Sequence, residues 1–328
     1  MKKALLFCFI MFFAACSKEK VQLNIKEAYS EQINTVSIDG METKNFEGKL
    51  YDSYNDYAAK LSYYSIIEDE LKYYSENYSV NIFVQGFNNS FSLIANKLFL
   101  TSLVPEYEDI PEHTAIEEYD INWEETGKFT YISFDYNGSL LGKDIQHGYK
   151  RYLIIYSNNR RVSLYDQNNR MVYLASSLRY TFSSDFNVQA SSELQENNIK
   201  YSVENCINEN ELIPWVENSS GNGTGEYITF IPKYEIIFPN IPIIISNGFV
   251  DYNRNYLYEH NNRIKKIRVY NADQNEYLDF TIEDTPNYQE IFVNFENKVN
   301  KINVEILEVY QGERYNDLCV NLLKPYYF

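Results

Sequence analysis

Short runs in which apolar and polar residues alternate constrain the fold more than any other feature of this sequence. Side chains of a β-strand point alternately to opposite faces, so such a run predicts a strand. Between Lys128 and Tyr180 the runs are separated by NG, SNN and QNN turns; they are Phe129–Phe134, Arg151–Tyr156, Arg161–Tyr165 and Met171–Tyr180. This spacing predicts an antiparallel meander, with Tyr and Ile on one face and Lys, Arg and Ser on the other.

Further runs of strand length follow in the C-terminal segment. They are Tyr227–Phe230, Ile241–Ser246, Arg263–Tyr270, Glu276–Ile282, Gln289–Phe295 and Lys301–Val309. No helix is predicted among them, and this many short strands favours a β-sandwich. The boundary between the two parts is predicted near Asn187, where a new polar stretch begins. The fold class predicted for the chain is mainly β, with an α+β N-terminal part.

One long amphipathic helix is predicted in the N-terminal part, from Tyr51 to Tyr78. Its apolar stripe recurs at intervals of three and four residues and consists of Tyr54, Tyr57, Leu61, Tyr64, Ile67, Leu71, Tyr74 and Tyr78. A row of tyrosines also suits a sugar platform, although core packing is the interpretation we favour. Strands are predicted around Ile33–Ile38 and at Val80–Val84, whereas Phe91–Leu103 is apolar and of either type.

The segment from Pro105 to Glu125 is strongly acidic and is predicted to form a long loop. Its central carboxylates are those of Glu117, Glu118, Asp120, Glu124 and Glu125. Paired carboxylates are the groups a glycosidase uses, and a carboxylate cluster is what calcium prefers. The Asp-x-Asp-x-Asp-Gly order of a calcium loop is missing, so a solvated acidic loop is the preferred interpretation.

The chain begins with a short apolar run between two lysines and a cysteine. Lys2 and Lys3 precede the run Ala4–Phe13, and polarity begins abruptly after Cys16. About ten apolar residues are too few to span a bilayer as a helix, so the segment resembles a bacterial lipoprotein signal. We expect cleavage before Cys16, its acylation, and anchoring of the exported protein to a membrane, most simply the outer membrane or cell surface.

Four divisions of the chain follow from these patterns. They are a signal peptide at 1–15, a lipidated tether with the first strands at 16–48, an α+β domain at 49–187 and a C-terminal domain at 188–328.

Acidic residues outnumber basic ones, 46 to 29, and give a net charge of −17. Loss of Lys2 and Lys3 with the signal would bring the charge to −19. Such a surface repels phosphate groups, so nucleic acid and anionic lipid are not expected partners. The three histidines, His113, His147 and His260, are far apart in sequence, and we expect neither a metal nor a cofactor.

Two cysteines, Cys206 and Cys319, remain once Cys8 leaves with the signal and Cys16 is acylated. Export favours a disulfide between them, which would stabilise the fold by about 4 kcal/mol. The alternative is a pair of buried free thiols that act as small apolar groups, and the sequence leaves both open.

Several short motifs occur in a fixed order along the C-terminal segment. They are Ala190-Ser191-Ser192, Tyr201 to Asn205, Trp215-Val216-Glu217, Gly221, Gly223 and Gly225-Glu226, Ile245 to Phe249, Asn261 to Lys265, and Val309 to Gly312 followed by Tyr315, Asp317 and Cys319. In order and spacing they resemble the discoidin-like, NADase-type glycan-binding domain of bacterial surface and secreted proteins. The resemblance implies a jelly roll that binds a glycan through loops at one end and that is not itself a hydrolase.

The segment departs from the family pattern at two places. Cys206 and the stretch ENELIP, residues 209–214, replace the small Asp/Gly-rich turn that is usual before the tryptophan. Near the end, Asn321 or Leu322 occupies the place of an acidic residue, so any contact of that acid in relatives is not carried over.

Sugar recognition needs an exposed aromatic face for the C–H side of a ring, and planar polar groups for its hydroxyls. The candidates by type and position are Trp215, Glu217, Glu226, Asn247, Tyr252, Arg254, Tyr256, Tyr258 and Arg263. Trp215 is also suited to cap the sandwich core, and Asn247 to form a turn. The run DYNRNYLYEHNNR, residues 251–263, is the expected contact loop of a protein that binds carbohydrate without catalysis.

Two alternatives remain open at this level. Residues 20–186 would form a divergent hydrolase that the C-terminal domain targets to its substrate, or the chain would have a structural role in envelope assembly.

Overall fold

The computed structural model describes residues 33–38, 41–46 and 82–326, the last range with gaps at 87, 95, 105, 107–112, 142–146, 158–159, 179–184, 234–239 and 274–275. Strands β1 (Ile33–Ile38) and β2 (Met41–Phe46) form an antiparallel hairpin, which confirms the predicted first strand. The predicted helix at Tyr51–Tyr78 and the lipidation site Cys16 lie outside the described residues.

The first larger sheet is a four-stranded antiparallel meander that precedes the predicted one. Its strands are β3 (Ile82–Gln85), β4 (Asn89–Ile94), β5 (Lys97–Val104) and β6 (His113–Asp120). The apolar stretch of uncertain type is therefore the β4–β5 hairpin, in which Phe91 pairs with Leu100.

The prediction of a loop at Pro105–Glu125 is wrong, because β6 and most of β7 (Asn122–Thr126) lie within it. Ile116, Tyr119 and Ile121 are buried in this segment and supply the inward-facing apolar groups that a strand needs. The density of carboxylates obscured this pattern in the sequence.

The second sheet is the predicted meander, with strand order β11-β10-β9-β8-β7. Strands β8 to β11 are Phe129–Tyr136, Gly148–Ser157, Arg161–Tyr165 and Met171–Ser176. Each strand pairs antiparallel with the next along the chain, which confirms the predicted strands and their antiparallel order.

The C-terminal part is a discoidin-like β-sandwich of two antiparallel sheets. A five-stranded sheet has the order β12-β16-β21-β18-β19, and a four-stranded sheet has the order β15-β22-β17-β20. The strands, with the small hairpin β13–β14, are β12 Phe186–Ala190, β13 Leu194–Glu196, β14 Ile199–Tyr201, β15 Trp215–Val216, β16 Tyr227–Pro232, β17 Asn240–Asn247, β18 Arg263–Asn271, β19 Glu276–Thr281, β20 Tyr288–Asn294, β21 Ile302–Tyr310 and β22 Cys319–Pro325.

The six strands predicted in this part are confirmed, but the prediction of no helix among them is wrong. A short α-helix covers Tyr256–His260, within the loop between β17 and β18, and a 3₁₀ turn covers Val203–Ile207. The sequence YLYEH is only five residues long, which is too short to show the periodicity from which a helix is predicted.

The two parts of the chain pack together as a stack of four sheets. Ile154 and Leu164 of the meander face the first sheet, whereas Leu153 and Tyr165 face the sandwich, where they share a core with Ile244 of β17. The face predicted to carry Lys, Arg and Ser is thus a contact face. Strands β10 and β17 are buried along their described length for this reason.

A buried polar cluster lies at the junction between the meander and the sandwich. The carboxylate of Glu209 accepts hydrogen bonds from Arg161, from Lys324 Nζ at 2.7 Å and from Tyr326 OH at 2.5 Å. The side chains of Arg161, Glu209 and Lys324 are each at most 2% exposed. Glu209 begins the ENELIP stretch, so the departure from the family pattern is an element that joins the two parts.

The cysteines do not form the bridge that the sequence left open. Cys206 and Cys319 are free and buried, and their thiols donate to the carbonyls of Val203 and Asp317. They occupy the core as small apolar groups, which is the other alternative. Among the described residues no helix has the length and apolar character needed to cross a membrane.

Candidate functional site

Four connections meet at one end of the sandwich: residues 217–226, 248–262, 282–287 and 311–318. The strand register brings them there, because the start of β18 pairs with the end of β21 and the end of β17 pairs with the start of β20. Such a group of adjacent loops on a rigid scaffold is the usual place for a binding site.

Asn262 holds three of these connections together. Its Nδ2 donates to the carbonyl oxygens of Asn222 at 3.1 Å and Asn316 at 2.6 Å, and its Oδ1 accepts from the amide of Gly312 at 2.7 Å. The side chain is fully buried, so these bonds are protected from competition with water. The loop end is therefore preorganised.

Asp251 and Arg254 shape the first half of the predicted contact loop. Asp251 Oδ1 accepts from the amides of Asn253 and Arg254, and Oδ2 accepts from Arg254 Nε at 3.0 Å and Nη2 at 2.8 Å. This ion pair raises the pKa of Arg254 and fixes the direction of its guanidinium, whose side chain remains 56% exposed.

The meander sheet covers part of the same loop. The Tyr252 ring packs edge-on against Tyr131, and the guanidinium of Arg151 lies 4.2 Å from the centre of the Tyr131 ring. Asn253 Nδ2 donates to the carbonyl of Gln167 at 2.6 Å. Tyr252 and Asn253 thus contribute to the contact between the two parts.

Arg263 and Tyr258 are enclosed and bind Asp284. Arg263 Nε and Nη2 donate to the two oxygens of Asp284 at 2.7 and 3.1 Å, and Tyr258 OH donates to Oδ1 at 3.1 Å. Lys128 of the meander completes the group, 2.5 Å from Asp284 Oδ2. Burial opposes ionisation of Asp284, but the hydrogen bonds from Arg263 and Lys128 outweigh it and hold its pKa below the ordinary value.

Three other predicted residues have partners within the sandwich. Trp215 is fully buried in the core and donates from Nε1 to the carbonyl of Ser192, as expected of a core cap. Asn247 is fully buried and bonds through both side-chain atoms to the backbone of Ile264. Glu226, half-buried, accepts from the hydroxyls of Ser191 and Ser192.

Glu217 is also buried. It accepts from the amides of Ser219 and Leu318, which ties the glycine-containing loop to the start of β22.

An open surface remains on the other side of the loop end, and we call it the loop-end surface. It consists of Tyr201, Phe249, Arg254, Tyr256, His260 and Tyr315. Neighbouring rings are in contact along it, with centroid distances of 6.2 Å for Tyr201–Phe249, 5.1 Å for Tyr256–His260 and 6.2 Å for His260–Tyr315.

The Arg254 guanidinium lies 6.0 Å from the Phe249 ring centre, and Tyr256 and Tyr201 are close enough to act on its charge. Tyr256 is 48% exposed and Tyr315 37%, so their faces are open to a ligand.

Of the predicted candidates, only Arg254 and Tyr256 belong to this surface. Tyr201, Phe249 and Tyr315 were recognised in the sequence as motif residues without a binding role, and His260 only as an isolated histidine. His260 Nδ1 is buried and has no hydrogen-bond partner among the described residues. The signal that joins them is the contact between separate loops, which a sequence does not display.

Acidic residues of the segment Pro105–Glu125, which was predicted to be a loop, form hydrogen bonds and ion pairs within the N-terminal part. Glu117 accepts from Tyr119 OH at 2.7 Å and from the amide of Leu140 at 2.9 Å. Lys97 pairs with Glu118 at 3.0 Å and with Asp120 at 2.6 Å. Within the described ranges, no group of three or more His, Cys, Asp or Glu side chains is arranged to hold a metal ion.

Comparison with protein families supports the class of domain that this geometry defines. Residues 179–324 match the model of a family described as NAD glycohydrolase translocation F5/8 type C domain. The resemblance found in the sequence is thereby confirmed for the C-terminal part, which is less than half of the chain. No curated protein matches the chain.

Solved structures with partial similarity include a family 32 CBM from Clostridium perfringens NanJ in complex with galactose. Its TM-score is 0.31 at 15% identity, and the match covers 44% of this chain and 96% of that one. CBM32-3 from a family 31 glycoside hydrolase of Clostridium perfringens has a TM-score of 0.34 at 14% identity, with 44% and 93% covered.

Arabinofuranosyltransferase AftD from Mycobacteria has a TM-score of 0.34 at 13% identity over 44% of this chain. The matched segment spans only 10% of that transferase.

Proposed function

We propose that this protein is a lipid-anchored bacterial envelope lipoprotein that binds carbohydrate, without catalysis, at the loop-end surface. The ligand is a neutral saccharide, because the chain carries a net charge of −17 and would repel an acidic one. Acylation of Cys16 attaches it to a membrane, at the outer membrane or cell surface.

The observation that carries the proposal is the row of open aromatic rings beside a fixed guanidinium. A sugar ring presents C–H groups on one face, which pack on the rings of Tyr256 and Tyr315. Its hydroxyl oxygens accept hydrogen bonds from Arg254, whose direction Asp251 sets. With only a few contacts a single binding event is weak, and many anchored copies would bind a repetitive glycan by multivalency.

A glycan array probed with the full-length lipidated protein tests the binding role. Wild-type protein is expected to bind a subset of neutral glycans, and Arg254→Ala and Tyr256→Ala to weaken that binding roughly fivefold each, since each removes a contact of about 1 kcal/mol. Tyr149→Ala is the matched control, because Tyr149 is 64% exposed but lies on β9 of the meander.

Binding equal to wild type in both variants would place the ligand elsewhere, and no binding by wild-type protein would reject the proposal. Incorporation of labelled palmitate into wild-type protein but not into Cys16→Ser tests the anchor separately.

A further inference from the structure

The outer face of the five-stranded sheet carries an ordered array of aromatic and polar side chains. Strand pairing places Tyr227, Glu305, Arg268 and Asp279 side by side in one row across β16, β21, β18 and β19. The next row consists of Thr229, Asn303, Tyr270 and Tyr277. Their neighbours along each strand, such as Ile228, Val304 and Val269, point into the sandwich core, so these rows face outward.

A shallow depression of about 450 Å³ lies in this face. Its lining includes Gly225, Tyr227, Tyr270, Asn271, Asn303 and Glu305. Exposed tyrosines stand on both sides of it, Tyr227 at 42% on β16 and Tyr277 at 54% on β19. The depression is on the side of the sandwich away from the meander, and none of its lining residues belongs to the loop-end surface.

Hydrogen bonds fix the polar groups of the depression. Tyr270 OH donates to Glu305 Oε2 at 2.7 Å, and Thr229 Oγ1 donates to Asn303 Oδ1 at 2.6 Å. Among the residues that the structure describes, no hydrogen bond is made by Glu305 Oε1, an acceptor, or by the Asn303 amide nitrogen, a donor. Acceptor and donor lie on the same strand, two residues apart, on one face of the sheet.

A second group of contacts holds Tyr277. Arg268 forms two hydrogen bonds with Asp279, at 2.6 and 3.0 Å, and its guanidinium lies 4.3 Å from the centre of the Tyr277 ring. The Tyr270 and Tyr277 rings are 5.8 Å apart and tilted. Rings held in this way present their faces with little loss of side-chain entropy on binding.

We propose that this sheet-face depression is a second saccharide-binding site, independent of the loop-end surface. Tyr227 and Tyr270 would cover the C–H side of a sugar ring, and Glu305 and Asn303 would bind its hydroxyls. The ligand is an uncharged sugar, since Glu305 excludes an acidic one. Two sites on different sides of one domain would allow a single copy to bridge two glycan chains. This raises the avidity of the protein without a change in the affinity of either site.

The test uses saturation-transfer NMR of the full chain with D-galactose, D-glucose and N-acetyl-D-glucosamine as probes. In the background Arg254→Ala/Tyr256→Ala, saturation transfer to at least one sugar is expected to persist. Adding Tyr227→Ala or the near-isosteric Glu305→Gln is expected to weaken it roughly tenfold, the loss of about 1.4 kcal/mol of binding free energy. Adding Tyr149→Ala is expected to leave it unchanged, and thermal unfolding checks that every variant is folded.

The two proposals fail separately in this design. No residual transfer in the background variant, or residual transfer that Tyr227→Ala and Glu305→Gln both leave intact, overturns the sheet-face site. Transfer in wild-type protein that is unaffected by Arg254→Ala/Tyr256→Ala but lost with Tyr227→Ala overturns the loop-end surface and supports the sheet-face site.

Discussion

Arg254 lies in the connection between β17 and β18, Arg263 begins β18 directly after it, and their surroundings give them different roles. The side chain of Arg254 is 56% exposed and pairs with Asp251 of the same loop. That of Arg263 is 7% exposed and pairs with Asp284 of another connection. An arginine of the first kind is available to a ligand, whereas one of the second kind holds the loop end together.

Arg263→Met is expected to destabilise the protein by about 3–5 kcal/mol, because it breaks a buried ion pair and leaves Asp284 with only the Lys128 cation and the Tyr258 hydroxyl of the group described above. Lys265→Met is the control, since the pair of Lys265 with Glu308 is about half exposed and screened by water, so its loss should change stability little. Denaturant unfolding measures both changes. Equal small losses would show that the Arg263 pair does not stabilise the loop end.

At the residue scale, the sequence identifies side chains that are chemically suited to bind a sugar, but it does not show which of them are exposed to solvent. Trp215, Asn247, Tyr258 and Arg263 have the groups that sugars require, yet all four are buried. Burial depends on which strands and loops meet, and those contacts join residues far apart in the chain. Tyr201, for example, meets Phe249 only because the β13–β14 hairpin reaches the β17–β18 connection.

The connection 217–226, which precedes β16, requires glycine at two positions, for its backbone conformation and for its packing. Gly223 and Gly225 have φ values of +88° and +89°, which only glycine adopts readily. A Cβ at Gly223 would overlap Leu318, with its Cδ2 only 2.8 Å away, whereas a Cβ at Gly225 would meet nothing within 4 Å.

Gly225→Ala is expected to cost about 1–2 kcal/mol from backbone strain alone. Gly223→Ala should cost more, by a further 1–3 kcal/mol, because Leu318 is fully buried and cannot move without disturbing the core. Thermal unfolding of the two variants measures the difference. A larger loss for Gly225→Ala would contradict the packing argument.

Strands were predictable wherever alternation and turn residues coincided, as in the meander and the sandwich. The error at Pro105–Glu125 has a physical cause: Lys97 neutralises Glu118 and Asp120 across the β5–β6 pair, so acidic residues are tolerated in a strand. Cross-strand pairing of this kind is long-range information that local composition does not contain.

At the scale of the whole molecule, the buried cluster around Glu209 connects the meander to the sandwich. One carboxylate serves two cations, Arg161 and Lys324, in a region shielded from water. The backbone of the same stretch adds to the connection, since the amide of Met171 donates to Asn210 and that of Leu212 donates to Asn169. The two parts are therefore expected to unfold together.

Glu209→Gln is expected to destabilise the protein by about 3–5 kcal/mol, because it leaves the buried Arg161 cation without a counter-charge and Lys324 without its carboxylate partner. Lys324→Met should cost far less, since it leaves a matched pair of Arg161 and Glu209 and adds an apolar side chain. Calorimetric unfolding of both variants measures the contrast. A Lys324→Met variant as unstable as Glu209→Gln would overturn this account of the cluster.

Comparison of wild-type protein with Lys324→Met also tests how stability depends on pH. Burial and the neighbouring Arg161 cation lower the pKa of Lys324 to about 7, from an ordinary value of 10.5. Between those values the unfolded chain binds a proton that the folded chain has released, so this group makes folding more favourable as pH rises from 7 to 9. Wild-type protein should gain stability over that range relative to Lys324→Met, and an identical pH profile would contradict the lowered pKa.

Strand β22 lies in the interior of the four-stranded sheet, between β15 and β17, although all its sheet partners precede it in the chain. During synthesis, β15 and β17 must therefore wait with their hydrogen-bonding edges unpaired until residues 319–325 leave the ribosome. The four-stranded sheet is completed only when β22 pairs with β15 and β17. These contacts are long-range in sequence, which makes folding slow relative to translation. Such a delay would suit the export that we propose, because the chain would cross a membrane in extended form before it folds.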